Sequence, residues 1–167
     1  EPSMVGPLAR AGVRYTMTDD THFIAAGLQR DALWGHYITE DQGVPLHVFP
    51  ISKELRYAIP FRPVEETLAL LRRLAEEEPD RTALLGDDGE KFGVWPNTYA
   101  HVYEEGWLAR FFEALEANRE WIRSRFPSEI LGSVAPLGKV YLPTASYDEM
   151  MEWAMPPEAQ RRFHAFH

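Results

Sequence analysis

The amino-acid order predicts an α/β protein, on three observations. Short apolar runs of β character alternate with stretches of helical period. The β-type runs end in polar or charged clusters, and no apolar run is long enough to span a bilayer. The clusters are TDDTHF after residues 13–18, LGDDGEKFG after residues 82–85 and LPTASYDE after residues 139–143. In parallel sheets and barrels the loops at the carboxyl ends of strands share one face and collect the binding and catalytic groups. The three clusters are therefore expected to converge.

The first run, VRYTMT, ends in Asp19-Asp20. A second, LHVFPI at residues 46–51, pairs with Tyr37-Ile38-Thr39 across the turn Glu40-Asp41-Gln42-Gly43, and this hairpin is expected to be an excursion from the main sheet. From Pro63 onward Val64, Leu68, Leu71 and Leu74 recur at helical spacing. Glu65 and Glu66 occupy the first turn and Arg72 and Arg73 lie further along, the sense the helix dipole favours. The acidic Glu76-Glu77-Glu78 is the solvated end of that helix. Residues 82–85 read as a buried strand leading into Gly86-Asp87-Asp88-Gly89. After Pro96-Asn97, where the chain can enter a helix, Trp107, Leu108, Phe111, Phe112 and Leu115 form one helical face. The last strand-like run, residues 139–143, precedes Ser146 and Glu149, spaced as a capping box. Pro156-Pro157 stops that helix and opens another through Arg161 and Phe163. No internal repeat is present.

A chain of 167 residues with 45% hydrophobic content can bury a core and fits one ordinary domain. Its net charge of −9 opposes a phosphate backbone, so no nucleic-acid partner is expected, and no membrane partner either. Without cysteine there is no disulfide framework or thiolate metal site, which permits a reducing compartment, and a cytoplasmic location is expected. The high aromatic content suits either a packed core or the faces of sugar rings. The abrupt start at Glu1-Pro2 and the unfinished helical pattern at His167 are what an internal fragment would show.

The chemistry concentrates at Asp87, Asp88, Glu90 and Lys91, followed by Phe92-Gly93-Val94-Trp95. A carboxyl at a strand end is partly desolvated, and a neighbouring carboxylate further favours its protonated form, which is how an acid stays protonated near neutral pH. Either aspartate could be a general acid; Asp-Asp-Gly is also ordinary turn chemistry. Trp95, in a Gly-Val-Trp-Pro-Asn loop, could stack on a pyranose ring or simply pack. Asp19, Asp20 and His22 could ligate a divalent cation, as the Asp-Asp pair of metal-dependent carbohydrate deacetylases does, but no His-x-x-x-His pair follows. Polar substrate contacts or a loop network fit them equally, and no metal and no cofactor is expected. His36, His47 and His101 read as structural, and His164 and His167, three apart, lie at the chain's end.

The blocks YTMTDDTHFIAAGL, YITEDQG, VFPISKELRYAIPFRPVEETL, GDDGEKFGVWPNTYAHVYEEGWLARFFEAL and KVYLPTASYDEMMEWAMP together resemble family 57 glycoside hydrolases of the 4-α-glucanotransferase and α-amylase branch. The resemblance runs through nearly the whole chain in order, and DDGEKFGVWP is its most specific part. It implies that residues 1–167 are the central and C-terminal part of an incomplete (β/α)7 TIM-like barrel. It implies further an α-1,4-glucan or maltooligosaccharide substrate, a retaining mechanism and Asp88 as general acid/base. Trp95, Asp87, Asp20, His22 and Lys91 would contact substrate, and a homo-oligomer is compatible. A retaining enzyme needs a second carboxylate about 5 to 5.5 Å from the first. By similarity that glutamate belongs to a Thr-Glu-Arg-Val-Trp block four positions before Glu1, so the isolated chain is expected to lack turnover; Glu1 is a poor substitute because of its place in the block. Open strand edges are expected to make the segment poorly stable alone.

Overall fold

The computed structural model describes residues 2–78, 80–147 and 150–166. Its elements in chain order are α1 (Val5–Arg10), β1 (Tyr15–Asp19), α2 (Asp20–Ala25), β2 (Tyr37–Asp41), β3 (Val44–Ile51), α3 (Lys53–Ala58), α4 (Val64–Glu77), α5 (Trp107–Ala117), α6 (Pro127–Leu131) and α7 (Pro157–Phe166). The chain divides into two compact units, Glu1–Pro50 with Pro136–His167, and Ile51–Ala135. Among the described residues no helix is long and apolar enough to cross a membrane.

The first unit rests on a sheet in the order β1-β3-β2. β2 and β3 pair antiparallel, from Tyr37 opposite Val48 to Asp41 opposite Val44. Gln42 and Gly43 both have positive φ, 50° and 81°. That backbone makes a two-residue reversal whose twist matches the flanking strands, so Glu40 and Asp41 continue the strand instead of turning. The expected hairpin therefore forms, but it is no excursion: β3 is the middle strand, and the His47 N–H donates to the Arg14 carbonyl at 3.3 Å. A two-residue reversal leaves no room for a crossover helix, which is why the sheet contains an antiparallel pair. Parallel pairing enters at residues 137–140. Leu137 N–H donates to His36 O at 2.8 Å, Ile38 N–H to Gly138 O at 2.9 Å, and Val140 N–H to Ile38 O at 2.9 Å. The run at residues 139–143 is thus a single bridge at Lys139 in place of a full strand.

Phe23, Leu33, Tyr37, Val48 and Val140 form this unit's core. Tyr37 reconciles its hydroxyl with burial by donating to Ala32 O at 2.6 Å. α2 starts where β1 ends because Asp19 caps it, its carboxylate accepting from Thr21 N–H at 2.9 Å. α7 follows Pro156 as expected, while Glu149 of the expected capping box lies outside the described residues.

His36 is fully buried, its ring 5.1 Å from those of both His47 and Phe49, and neither ring nitrogen has a hydrogen-bond partner among the described residues. Burial, and secondarily His47, hold its pKa below 6.5; burial and then Arg14 do the same for His47. The unfolded chain therefore takes up these protons first as pH falls. Their contribution is complete above about 6.5 and is lost as pH drops from there through the folded values. Thermal unfolding followed by circular dichroism should give a falling midpoint from about pH 7.5 to about 5, and His36→Phe should flatten part of that slope. An unchanged slope would mean that the imidazole does not titrate differently on unfolding.

In the second unit α4 spans Val64–Glu77, as periodicity predicts, and packs against α3 and α5. Its buried residues are Val64, Thr67, Leu70 and Leu74. The stripe is rotated from the expected one, leaving Leu68 and Leu71 half-buried at its flank, because two neighbouring helices share the face. The acidic end is exposed as expected, and Arg81 pairs there with Glu77 at 2.9 Å.

The chain does not pass directly from Pro96-Asn97 into α5. A π-type turn at Ala100–Glu104 intervenes, and Gly106, at φ 72°, supplies the left-handed residue that starts the new helix. Of the expected α5 face, Trp107 is fully buried and its indole N–H donates to Arg62 O at 2.7 Å, with Phe111 stacked on it at 5.0 Å. Leu108, Phe111 and Leu115 are half-buried and Phe112 is exposed. Residues 82–85 are also less than the expected buried strand. Only Leu84 bridges, parallel to Ile51, with Ser52 N–H donating to Leu84 O at 2.9 Å, and Leu85 is exposed. A strand with one short neighbour cannot bury both faces. His101 is structural, bonding Pro60 O and Glu105 through its two nitrogens.

Candidate active site

The Asp87-Asp88 segment leaves the Leu84 bridge and runs beside α3. Ser52 caps that helix by accepting from Leu55 N–H at 3.2 Å, which fixes its first turn and aims Arg56, on the next turn, at both aspartates. Arg56 Nε lies 3.4 Å from Asp87 Oδ1 and Nη2 lies 3.5 Å from Asp88 Oδ2. A tight turn at Gly89–Lys91 brings Lys91 back over Asp87, with Nζ 2.7 Å from Oδ1 and 3.0 Å from Oδ2, and donating also to the Arg56 carbonyl at 3.0 Å. Asp87 Oδ1 in turn accepts from the Asp88 N–H at 2.9 Å.

Burial divides the pair. Side-chain exposure is 4% for Asp87 and 5% for Lys91 but 50% for Asp88. Asp87 is thus a buried anion matched by two cations, so the second carboxylate beside Asp88 is not an uncompensated like charge. Asp88 presents its carboxyl outward. The Lys91 ammonium sits 5.5 Å from the ring centroids of Tyr57 and Phe61 and 5.6 Å from that of Trp95, within cation–π range. Phe61 and Trp95 stack at 6.2 Å and 21°, and Trp95 remains 40% exposed. Asp87, Asp88, Lys91 and Trp95 are therefore brought together, as the motif suggested. Arg56, Tyr57 and Phe61 complete the group. Their one visible signal is an arginine set among apolar residues in KELRYAIPF.

Asp20 and His22 belong to the first unit. Asp20 Oδ2 pairs with Arg30 Nη1 at 2.6 Å. His22 Nε2 lies 2.9 Å from Ala145 O, and Nδ1 lies 3.1 Å from Thr18 Oγ1 and 3.2 Å from Asp19 O. A carbonyl, which can only accept, thus faces each ring nitrogen, and the Thr18 hydroxyl can donate to Nδ1 or accept from it. TDDTHF and LPTASYDE thus meet through His22, with Asp148 and Glu149 outside the described residues. Asp19 caps α2, Asp20 pairs with Arg30 and His22 bonds to oxygens, so these three side chains are committed elsewhere. Among the described residues no group of three His, Asp or Glu side chains is arranged to hold a metal ion.

The second unit thus sets a half-exposed carboxyl, Asp88, on the Arg56–Asp87–Lys91 ion pairs, with the exposed Trp95 ring on the far side of Lys91. The family model described as glycosyl hydrolase family 57 matches residues 1–143, and the chain belongs to that family. It is 48% identical over 166 residues to a 4-alpha-glucanotransferase of Thermococcus litoralis, covering 99% of this chain and 25% of that one. It is 49% identical over 161 residues to alpha-amylase 1 of Dictyoglomus thermophilum, covering 96% and 24%. The crystal structure of the 4-alpha-glucanotransferase from Thermococcus litoralis superposes with a TM-score of 0.90 at 48% identity, covering 99% of this chain and 26% of that one. The chain thus spans about a quarter of the length of these relatives.

Proposed function

We propose that this chain is the acid/base-bearing part of an α-glucan-acting retaining enzyme, a 4-α-glucanotransferase, and that it forms part of an incomplete (β/α)7 barrel. The observation that carries the reading is Asp88, half-exposed on a buried Arg56–Asp87–Lys91 frame beside the Trp95 face. Protonated Asp88 gives its proton to the glycosidic oxygen as the bond from that oxygen to the anomeric carbon breaks. The carbon bonds to a glutamate carboxylate, placed by family resemblance four positions before Glu1, and the leaving sugar departs with the proton. Asp88, now a carboxylate, then takes a proton from an acceptor-sugar hydroxyl whose oxygen bonds to the anomeric carbon, and the glutamate is released. With water as acceptor the same steps are amylase chemistry, the activity for which several relatives are named. Trp95 stacks on a pyranose ring.

Product analysis tests this. The full-length enzyme incubated with maltotetraose is expected to give a ladder of shorter and longer maltooligosaccharides. Shorter products alone would convert the reading to an amylase, and untouched maltotetraose would remove α-glucan as the substrate class.

A further inference from the structure

We infer that Arg56 is a positioning residue for the acid/base step, holding the Asp88 carboxyl in the orientation from which it transfers its proton; this rests on the reading of Asp88 given above. Three observations support it. The guanidinium reaches both aspartates, with Nε 3.4 Å from Asp87 Oδ1 and Nη2 3.5 Å from Asp88 Oδ2, so it ties the exposed carboxyl to the buried one. Its backbone is held at two points. The Ser52 cap sets the start of α3, and the Arg56 carbonyl is bonded by the buried Lys91 ammonium at 3.0 Å. The Asp88 side chain is half-exposed. Asp87 Oδ1 bonds its backbone N–H at 2.9 Å, which sets where the residue sits but not where its carboxyl points.

A short aspartate side chain has two χ angles to hold, and a planar guanidinium with several donors can hold them. With Arg56 on one carboxyl oxygen, the other is the one left to carry and give the proton. Lysine offers one point charge in place of a fork and so preserves the charge but not the two-aspartate geometry.

The test uses two substrates of the full-length enzyme. Cleavage of maltotetraose needs a proton for its leaving group. α-Maltosyl fluoride does not, because fluoride leaves unprotonated, and added azide replaces the base-assisted acceptor in the second step. Arg56→Gln is expected to lower kcat on maltotetraose roughly 10- to 100-fold, the scale set by misplaced catalytic groups, with KM changed less than about 3-fold. On α-maltosyl fluoride with azide it should stay within about 3-fold of the parent enzyme, and Arg56→Lys should fall between the two on maltotetraose. An equal loss on both substrates means a merely structural role and overturns the inference, as does full activity of Arg56→Gln on maltotetraose. Asp88→Asn is run beside it. If that variant cleaves maltotetraose at the parent rate, the acid/base reading itself falls. If it is impaired on maltotetraose and spared on the fluoride while Arg56→Gln is not, the inference about Arg56 falls alone.

Discussion

Asp88→Asn in the full-length enzyme is expected to lower kcat on maltotetraose by about 10²- to 10⁴-fold, the range that general acid–base catalysis supplies. Asparagine keeps the shape of the side chain and its contact with Arg56, but can neither give nor take the proton. Because Asp88 is half-exposed and its ion pair with Arg56 is 3.5 Å long, folding should be nearly unaffected, within about 1 kcal/mol. Initial rates together with a thermal unfolding curve check both halves of the statement. Asp87→Asn makes the contrast. That carboxylate is buried against Lys91 and Arg56, so its loss should show first as a lowered unfolding midpoint. If Asp88→Asn kept parental rates, or if Asp87 carried the large rate loss with unchanged stability, the roles of the two aspartates would be exchanged or absent.

What the sequence made legible follows from the range of the interactions involved. α4 has fourteen residues over which a helical repeat can be counted, and the β2–β3 hairpin has a glycine at its reversal. Both signals are local. α2 and α3 have six residues each, too few for a period, and are defined by their caps Asp19 and Ser52. The Leu84 and Lys139 bridges depend on partners, Ile51 and Ile38, that lie far away in sequence, so no local pattern tells a full strand from a single bridge. The site divides the same way. Asp87, Asp88, Lys91 and Trp95 occupy one continuous motif, whereas Arg56 reaches them from a separate short helix. Lys91, a substrate contact by resemblance, has its ammonium enclosed by Asp87, the Arg56 carbonyl and three aromatic rings, partners that the motif alone does not name.

That enclosure makes Lys91→Met the most destabilising change expected at the site. Methionine keeps the unbranched stem, and its sulfur packs acceptably among Tyr57, Phe61 and Trp95, so the loss is mainly one of charge. The Asp87 carboxylate is left buried with Arg56 at 3.4 Å as its remaining cation. Breaking a buried pair from one side typically costs about 3 to 5 kcal/mol, and the surviving Arg56 contact puts the expectation near about 3 kcal/mol, read from urea or thermal unfolding. The double variant Lys91→Met with Asp87→Asn removes both charges and should recover a large part of that loss, because the penalty comes from the stranded carboxylate. A single variant as stable as the parent would mean that water reaches Asp87. A double variant no better than the single would locate the damage in packing, not in charge. Since Asp87 Oδ1 also holds the Asp88 N–H, a stranded Asp87 that seeks water should draw Asp88 with it. The kcat of Lys91→Met is therefore expected to fall even at temperatures where the variant remains folded.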